Sequence, residues 1–195
     1  MRRWEPGAFV EAEAFDGYVW GRPKIPRLRL LFINDFNLSV SYQQQIQGLQ
    51  DRGAPVQAIG MQSHMHREQS RWSMDRVMSL CDQFGALWLP LYFTEITVTS
   101  GATPADWKMP DWRSDWRTTP EGAAQQADYV EKFYTVLFSH AAVEGITWWD
   151  LSDQGCWLGA PGGLLRKDAS PQPAFDRLRK LIKQDWWTKA AGTTG

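Results

Sequence analysis

The chain has 195 residues, of which 43% are hydrophobic, and this size allows one folded domain or part of a larger one. Its 21 basic and 22 acidic residues give a net charge of −1, so no overall positive field would attract nucleic acid or an anionic membrane. No apolar run approaches the ~20 residues that a membrane helix needs, and the few cysteines and histidines form no recognisable metal motif.

Apolar segments alternate with helical segments along most of the chain. Four apolar segments predict buried strands: residues 28–33, 56–64, 87–96 and 144–153. Four segments with helical periodicity or capping residues predict helices: residues 41–53, 73–86, 119–140 and 170–186. Strands that are each followed by a helix form parallel sheets. The pattern predicts an α/β fold with four β-α units, which is half of a (β/α)₈ TIM barrel.

The two ends of the chain do not follow this repeat. Residues 1–27 show no clear pattern and are predicted to be irregular, whereas residues 28–185 are predicted to form the partial barrel. Residues 186–195 end in small and polar residues and are predicted to be a disordered tail. Residues 99–119 form a long loop, and loops of such length are uncommon unless they are functional.

Polar side chains collect where the predicted strands end. Asn34 follows the first strand, Gln62 and His64 end the second, and Trp149 lies in the last part of the fourth. Glu95 is the one carboxylate in the apolar stretch PLYFTEITVTSG of the third strand. Because the carboxyl ends of parallel strands meet at one mouth of a barrel, Glu95 is predicted to face a functional site rather than the core.

Twelve tryptophans are the unusual feature of the composition. Flat aromatic faces suit sugar rings or nucleic-acid bases, and the absence of a basic excess favours sugars. Trp157, in a glycine-rich loop, is predicted to form a platform for a sugar. Trp107, Trp112 and Trp116, in the long loop, could pack against one another or contact further sugar units.

Four motifs in order resemble the family 10 glycoside hydrolases, most of which are endo-1,4-β-xylanases. LFINDFN is similar to the family's strand-five motif, IGMQSHM to its strand-six motif and FTEI to the strand-seven Thr-Glu pair. ITWWDLSDQGCW, followed by GGLLRKDASPQPAF, is similar to strand eight and the helix after it. The match covers residues 28–183 and corresponds to the C-terminal half of the family's catalytic barrel.

The resemblance implies a retaining glycoside hydrolase that needs no cofactor and no metal. Glu95 would be the nucleophile, and His64 would hydrogen-bond to it and keep it ionised. The implied sugar-binding residues are Asn34, Gln62, Trp149 and Trp157. The implied partner is β-1,4-linked xylan, and secretion is implied by the family alone, since the first residues show no signal peptide.

Several departures from the family pattern bear on activity. The family's acid/base glutamate lies in an Asn-Glu dipeptide at the end of strand four, and this sequence contains no Asn-Glu. We therefore expect a truncated form that lacks the acid/base residue and has little or no activity as an isolated chain. The family often has aspartate two residues after the nucleophile, where this chain has Thr97, and Phe36 replaces the strand-five tyrosine.

Other interpretations of the sequence stay open. The chain could be a non-catalytic xylan-binding protein derived from a hydrolase barrel, or a different barrel enzyme with a glutamate at a strand end. A half barrel has two open edges, so it could also self-associate or pair with a missing N-terminal half. Residue by residue, Glu95 could be a carboxylate facing water, His64 a structural histidine and Asn34 a turn former, and His66 is interpreted as a loop residue.

Overall fold

The described residues form two separate β-sheets. The computed structural model describes residues 3–5, 9–13 and 27–30 as backbone strands, and residues 32–188. The first sheet is antiparallel and contains β1 (Arg3–Glu5), β2 (Phe9–Glu13) and β3 (Arg27–Leu30), in that order. The second is parallel and contains β4 (Phe32–Asp35), β5 (Ala58–Met65), β6 (Leu91–Val98) and β7 (Val143–Trp148), also in that order.

A helix follows each strand of the parallel sheet. These helices are α1 (Val40–Asp51), α2 (Met74–Gly85), α3 (Pro120–Ser139) and α4 (Pro173–Lys180), and α4 continues as a π-helical turn, Leu181–Asp185. The Ser73 hydroxyl accepts a hydrogen bond from the N–H of Arg76 at 3.2 Å and begins α2. The Thr119 hydroxyl does the same for α3 with the N–H of Gly122 at 3.0 Å, so both helices have a capped first turn. Four β-α units with neighbouring parallel strands confirm the predicted α/β half barrel.

The N-terminal region differs from the prediction. The sequence predicts an irregular segment over residues 1–27, whereas β1 and β2 lie within it. The predicted strand 28–33 is divided between the two sheets, because β3 ends at Leu30 and β4 begins at Phe32. The apolar-charged alternation of these strands spans only three to five residues, which is too short to stand out as a pattern. The predicted tail lies largely outside the described residues, which end at Thr188.

The bounds of the third and fourth predicted strands change most among the strands that stay whole. The third begins at Leu91 rather than at residue 87, because residues 86–90 form a turn in which Trp88 has a φ of 60°. The fourth ends at Trp148 rather than at residue 153, so Trp149 and Asp150 lie in the loop that follows. None of the helices in the described part of the chain is long and apolar enough to cross a bilayer.

The hydrophobic core lies between the parallel sheet and its helices. From the sheet it takes side chains with no exposed surface: Ile59, Met61, Met65, Leu91, Phe93 and Ile96. From the helices it takes Val77, Phe84, Val130, Phe133 and Leu137. The rings of Phe93 and Phe133 meet edge to face with their centroids 5.9 Å apart. The other face of the sheet, called the open face below, carries Asn34, Gln62 and Thr94 and is partly exposed.

Candidate active site

Glu95 lies at an irregularity of β6. Met61 pairs with Phe93 and Gln62 pairs with Glu95, so Thr94 is an extra residue between these two pairs. In a regular strand alternate residues share a face, and Glu95 would follow Phe93 into the core. The extra residue shifts the alternation, so that Thr94 and Glu95 both reach Asn34 on the open face while Ile96 is buried in the core. This bulge explains how an apolar strand can carry an available carboxylate.

Asn34 and His64 hold the two oxygens of the Glu95 carboxylate. The Asn34 amide donates to Oε1 at 3.3 Å, and the His64 Nε2 lies 3.0 Å from Oε2. The Thr94 hydroxyl donates to the Asn34 carbonyl oxygen at 2.9 Å, which turns the amide NH₂ toward Glu95. The Glu95 side chain is only 16% exposed, so these donors replace much of the water that would otherwise solvate its charge.

Gly60 makes room for Asn34. A Cβ at residue 60 would lie 2.5 Å from Asn34 Oδ1 and 2.7 Å from a ring carbon of Phe32. Such distances are too short for unbonded atoms, so the glycine of the GMQSH stretch is required by the close approach of the Asn34 side chain. Its position in β5 therefore contributes to the geometry of the carboxylate without contacting it.

Thr97 sets the orientation of the His64 ring. Its hydroxyl lies 3.0 Å from His64 Nδ1, and Thr97 is paired with His64 in the register of β5 and β6. When the neutral ring donates from Nε2 to Glu95, Nδ1 is left as an acceptor for the threonine hydroxyl. A threonine, unlike an aspartate, adds no negative charge beside the histidine. This contact therefore orients the ring so that Nε2 faces the Glu95 carboxylate.

His66 is buried beside His64 in a group of aromatic rings. Its ring stacks on His64 at 5.8 Å and lies 5.1 Å from Trp157 and 5.9 Å from Trp107. Within the described residues its Nε2 is buried without a hydrogen-bond partner. Burial, together with the nearby His64, lowers the pKa of His66 to about 4, so the ring is neutral at neutral pH. The sequence predicts a loop residue here, and His66 does follow the end of β5 at Met65. The H-x-H spacing was the available signal that its ring lies on the same side as the ring of His64.

Trp149 and Trp157 flank His64 on the open face. Their ring centroids lie 5.8 Å and 4.8 Å from the histidine, and the two side chains are 47% and 37% exposed. Asp150 accepts a hydrogen bond from the N–H of Trp157 at 3.1 Å, which positions the short turn that carries this tryptophan. Trp148 packs instead against the core and donates to the Gly162 carbonyl at 3.0 Å.

The remaining predicted residues divide into two groups. Gln62 is half-buried beside Glu95 in the strand register, and its side chain makes no hydrogen bond within residues 32–188. Trp107 and Trp116 are buried in a small cluster of their own with their centroids 5.2 Å apart, whereas Trp112 is 60% exposed. Across the described part of the chain, no three His, Cys, Asp or Glu side chains come together in a way that could hold a metal ion.

The active sites of (β/α)₈ barrel enzymes lie at the carboxyl ends of the strands. The hydrogen-bonded carboxylate of this half barrel lies at the same end. The sequence profile of Glycosyl hydrolase family 10 matches residues 14–181. The chain therefore belongs to glycosyl hydrolase family 10, and the resemblance found in the four motifs is confirmed.

Most of the curated relatives of the chain are named endo-1,4-beta-xylanases, and one is named an exoglucanase. It is 31% identical over 175 residues to endo-1,4-beta-xylanase 1 of Arabidopsis thaliana, a match that covers 83% of this chain and 15% of that protein. It is 26% identical over 164 residues to an endo-1,4-beta-xylanase of Geobacillus stearothermophilus, covering 76% of this chain and 47% of that protein. The chain thus spans about half, or less, of the length of these relatives.

Solved structures agree on the fold. Xylanase XynB of Paenibacillus barcinonensis, complexed with a conduramine derivative, superposes with a TM-score of 0.63 at 24% identity, covering 76% of this chain and 47% of that one. Xylanase 10B of Thermotoga petrophila, in complex with xylobiose, gives a TM-score of 0.63 at 20% identity, covering 79% and 46%. The chain therefore has the fold of about half of such a barrel.

Proposed function

We propose that the chain forms the C-terminal half of the catalytic barrel of an endo-1,4-β-xylanase, and that Glu95 is the nucleophile of a retaining hydrolysis of β-1,4-xylan. The observation that carries this proposal is the Glu95 carboxylate, held by Asn34 at 3.3 Å and by His64 at 3.0 Å at the carboxyl ends of parallel strands. Family membership supplies the reaction class, and the geometry supplies the candidate residue.

In this proposal Glu95 attacks the anomeric carbon of a xylose unit while the glycosidic C–O bond breaks. The product is a glycosyl ester on Glu95, which water then hydrolyses with retention of configuration. The attacking group is the carboxylate, and its two oxygens are oriented by the contacts with Asn34 and His64. Because both donors are on neighbouring strands of one sheet, the carboxylate is oriented before substrate arrives.

The sugar ring beside the scissile bond is proposed to contact the exposed faces of Trp149 and Trp157. These indoles are the exposed aromatic rings next to His64 in the described site. Gln62, whose amide makes no hydrogen bond within residues 32–188, is proposed to bind a sugar hydroxyl. Aromatic platforms with a few polar groups are a common composition for sites that hold small ligands.

A retaining glycosidase also needs a second carboxyl group about 5–5.5 Å from the nucleophile to protonate the leaving oxygen. Within residues 32–188, Glu95 is hydrogen-bonded to Asn34 and His64, and it makes no hydrogen bond with another carboxyl group. Asp150 accepts instead from Cys156 and Trp157. We propose that the acid comes from the other half of the barrel, since the Geobacillus stearothermophilus relative is about twice as long as the region matched here.

A mechanism-based label tests the nucleophile without the missing acid. A 2,4-dinitrophenyl 2-deoxy-2-fluoro-xylobioside has a leaving group that needs no protonation. We expect it to form a glycosyl ester with Glu95 in the isolated chain, detected by peptide mass spectrometry, and expect Glu95→Gln to remain unlabelled. A label on another carboxylate would contradict the assignment of the nucleophile.

Ordinary xylan tests the missing acid. The isolated chain should hydrolyse xylan at a rate lower by at least the ~10²–10⁴-fold that general acid catalysis contributes. Supplying the N-terminal half barrel of a related xylanase should restore turnover that depends on Glu95. Efficient hydrolysis by the isolated chain, lost in Glu95→Gln, would show that an acid is already present.

A second candidate function is xylan binding without hydrolysis. The exposed faces of Trp149 and Trp157 favour it, because they can hold a sugar whether or not an acid is present. Affinity electrophoresis in soluble xylan should retard the chain, and Trp157→Ala should migrate faster, while Trp187→Ala, which removes an indole that is 56% exposed outside the site, should not. A chain with no retardation would exclude this function.

Two further proposals concern partners and location. The open edges of β4 and β7 favour association with a second half barrel, and sedimentation of a compact monomer would contradict this. Secretion is proposed from family membership alone. It predicts that the protein is found in the medium around the cells that produce it.

A further inference from the structure

A separate cavity lies between the two long loops that follow β6 and β7. Residues 116–118 of the first loop and residues 159–161 of the second form its walls, and its volume is about 210 Å³. Pockets for drug-sized ligands are usually ~300–1,000 Å³, so this cavity suits one small group rather than a polymer. Both loops begin at the carboxyl ends of their strands, and Glu95 lies toward the same end of β6, so the cavity and the candidate active site lie at the same end of the sheet.

Most of the charged side chains that line this cavity are basic. Arg117, Arg166 and Lys167 are all exposed there, against one carboxylate, Asp153. Within residues 32–188 no hydrogen bond or ion pair uses the side chains of Arg117 or Lys167. Within the same range, the hydrogen bonds of the Arg166 guanidinium are made through Nη1, which donates to Ser170 and to the Pro171 carbonyl. Its other N–H groups, with those of Arg117 and Lys167, are donors suited to an anion.

Asp153 forms part of the floor and has its own partners. Its Oδ1 accepts from the N–H of Gly163 at 2.8 Å, and its Oδ2 accepts from the Thr118 hydroxyl at 3.2 Å and from the Gln172 amide at 3.1 Å. The carboxylate is therefore bonded to neutral donors and makes no ion pair with the basic side chains around it. The cations at the rim are left available to a ligand.

A row of packed rings connects the cavity to the candidate active site. Trp116, which lines the cavity, lies 5.2 Å from Trp107, which lies 5.9 Å from His66, which stacks on His64 at 5.8 Å. These distances between centroids bring the two sites within reach of one short polysaccharide. The cavity is thus placed to receive a group that branches from a bound chain.

We propose that the cavity lined by Arg117, Arg166 and Lys167 binds the carboxylate of a hexuronic acid that is carried as a side group on the xylan chain. The choice of xylan as the polymer rests on the proposed function. The choice of an acidic side group rests on the volume and charge of the cavity. A guanidinium pairs with a carboxylate through two parallel hydrogen bonds, and a volume of about 210 Å³ suits one monosaccharide unit.

The first test isolates the acid from the polymer. Sodium D-glucuronate is titrated into the chain and binding is followed by NMR, with D-glucose as the neutral counterpart. The double variant Arg117→Gln/Lys167→Gln should bind glucuronate about five- to tenfold more weakly, since each exposed charge pair contributes modestly. The double variant Lys132→Gln/Arg179→Gln, which removes the same charge from exposed positions on α3 and α4, should bind like the parent. Matching urea unfolding curves for all variants exclude a loss of fold.

The second test uses the polymer. The parent chain should be retarded more by 4-O-methylglucuronoxylan than by the same xylan after its carboxyl groups are reduced to alcohols, and the Arg117→Gln/Lys167→Gln variant should not distinguish them. Reduced xylan has no carboxyl groups, so retardation of the parent by it tests binding of the xylan main chain independently of the side group. Equal retardation by both xylans would overturn the inference while leaving xylan binding intact.

Other outcomes also decide the question. Glucuronate that binds no better than glucose, or equally well to the cavity and control variants, would overturn the inference. Inorganic phosphate that binds as tightly as glucuronate would also overturn the inference, because the cavity would then bind any small anion. Binding of glucuronate without retardation by either xylan would contradict both the side-group assignment and the proposed function.

Discussion

The two faces of the parallel sheet are shielded from water in different ways. The face toward the helices is closed, and Met61, Phe93 and Ile96 have no exposed surface there. On the open face, Asn34 and Glu95 keep contact with solvent and satisfy their polar atoms with each other and with His64. A buried charge needs water or hydrogen-bond partners, so the chemistry can lie only on the face that the helices leave uncovered. The helix-covered face supplies stability, and the open face supplies the site.

Adjacent residues of β6 should separate these two roles most clearly. Ile96→Ala removes a fully buried side chain and should lower the free energy of unfolding by about 2–5 kcal/mol, measured by urea denaturation. Glu95→Gln, one residue earlier but on the open face, should change it much less while abolishing the mechanism-based label. Equal losses of stability would mean that the two faces are not distinct.

A substitution of His66 tests the part of the open face that the rings of Trp107 and Trp157 cover. Its pKa is lowered from 6.5 to about 4 in the folded chain, so between these pH values the unfolded state binds more protons. The stability that the neutral ring contributes is complete above pH 6.5 and is lost as the pH falls toward 4, by up to about 3 kcal/mol. His66→Phe should therefore show a flatter decline of stability between pH 7 and pH 4, followed by urea denaturation.

The control for this titration is His140→Gln, which changes a histidine at the end of α3 that contacts Asp82. It should keep the parent's steep decline over the same pH range. A His66→Phe curve parallel to that of the parent would contradict the inferred neutral state of His66.

Gly60→Ala tests how closely the open face is packed around Asn34. The added methyl group would overlap Asn34 and Phe32 and should cost about 1–3 kcal/mol of unfolding free energy, with weaker labelling of Glu95. Gly48→Ala, in the interior of α1, meets only the end of the flexible Arg52 side chain and should stabilise the chain by about 0.5–1 kcal/mol. Urea denaturation compares both, and a neutral Gly60→Ala would show that Asn34 has room to move.

Thr97→Val has the smallest expected effect. It keeps the shape of the side chain but removes the hydroxyl 3.0 Å from His64 Nδ1, at a cost of about 1 kcal/mol. The nitrogen chemical shifts of the His64 ring should change from values typical of one tautomer to values averaged over both tautomers. Thr135→Val, whose hydroxyl bonds only to its own helix, should leave those shifts unaltered. Unchanged shifts in Thr97→Val would mean that Glu95 alone orients the ring.

Local pattern was enough to predict the long elements. The helix predicted over residues 119–140 is observed as Pro120–Ser139, because a capped start and a long amphipathic repeat are both written in consecutive residues. The strand predicted over residues 28–33 is split between β3, which ends at Leu30, and β4, which begins at Phe32, and no glycine, proline or other turn residue in the sequence marks this change of sheet. Where a boundary depends on pairing between distant segments, local pattern does not contain it.

The sequence by itself determined the order of the β-α units and the polar residues at the strand ends, because apolar periodicity and turn chemistry act over a few neighbouring residues. The tertiary structure decided that the bulge at Thr94 turns Glu95 to the open face, and that His66 is enclosed by Trp107 and Trp157. It also brought Arg117 and Lys167 to one cavity. These outcomes depend on strand register and loop packing, which join residues that lie far apart in the chain.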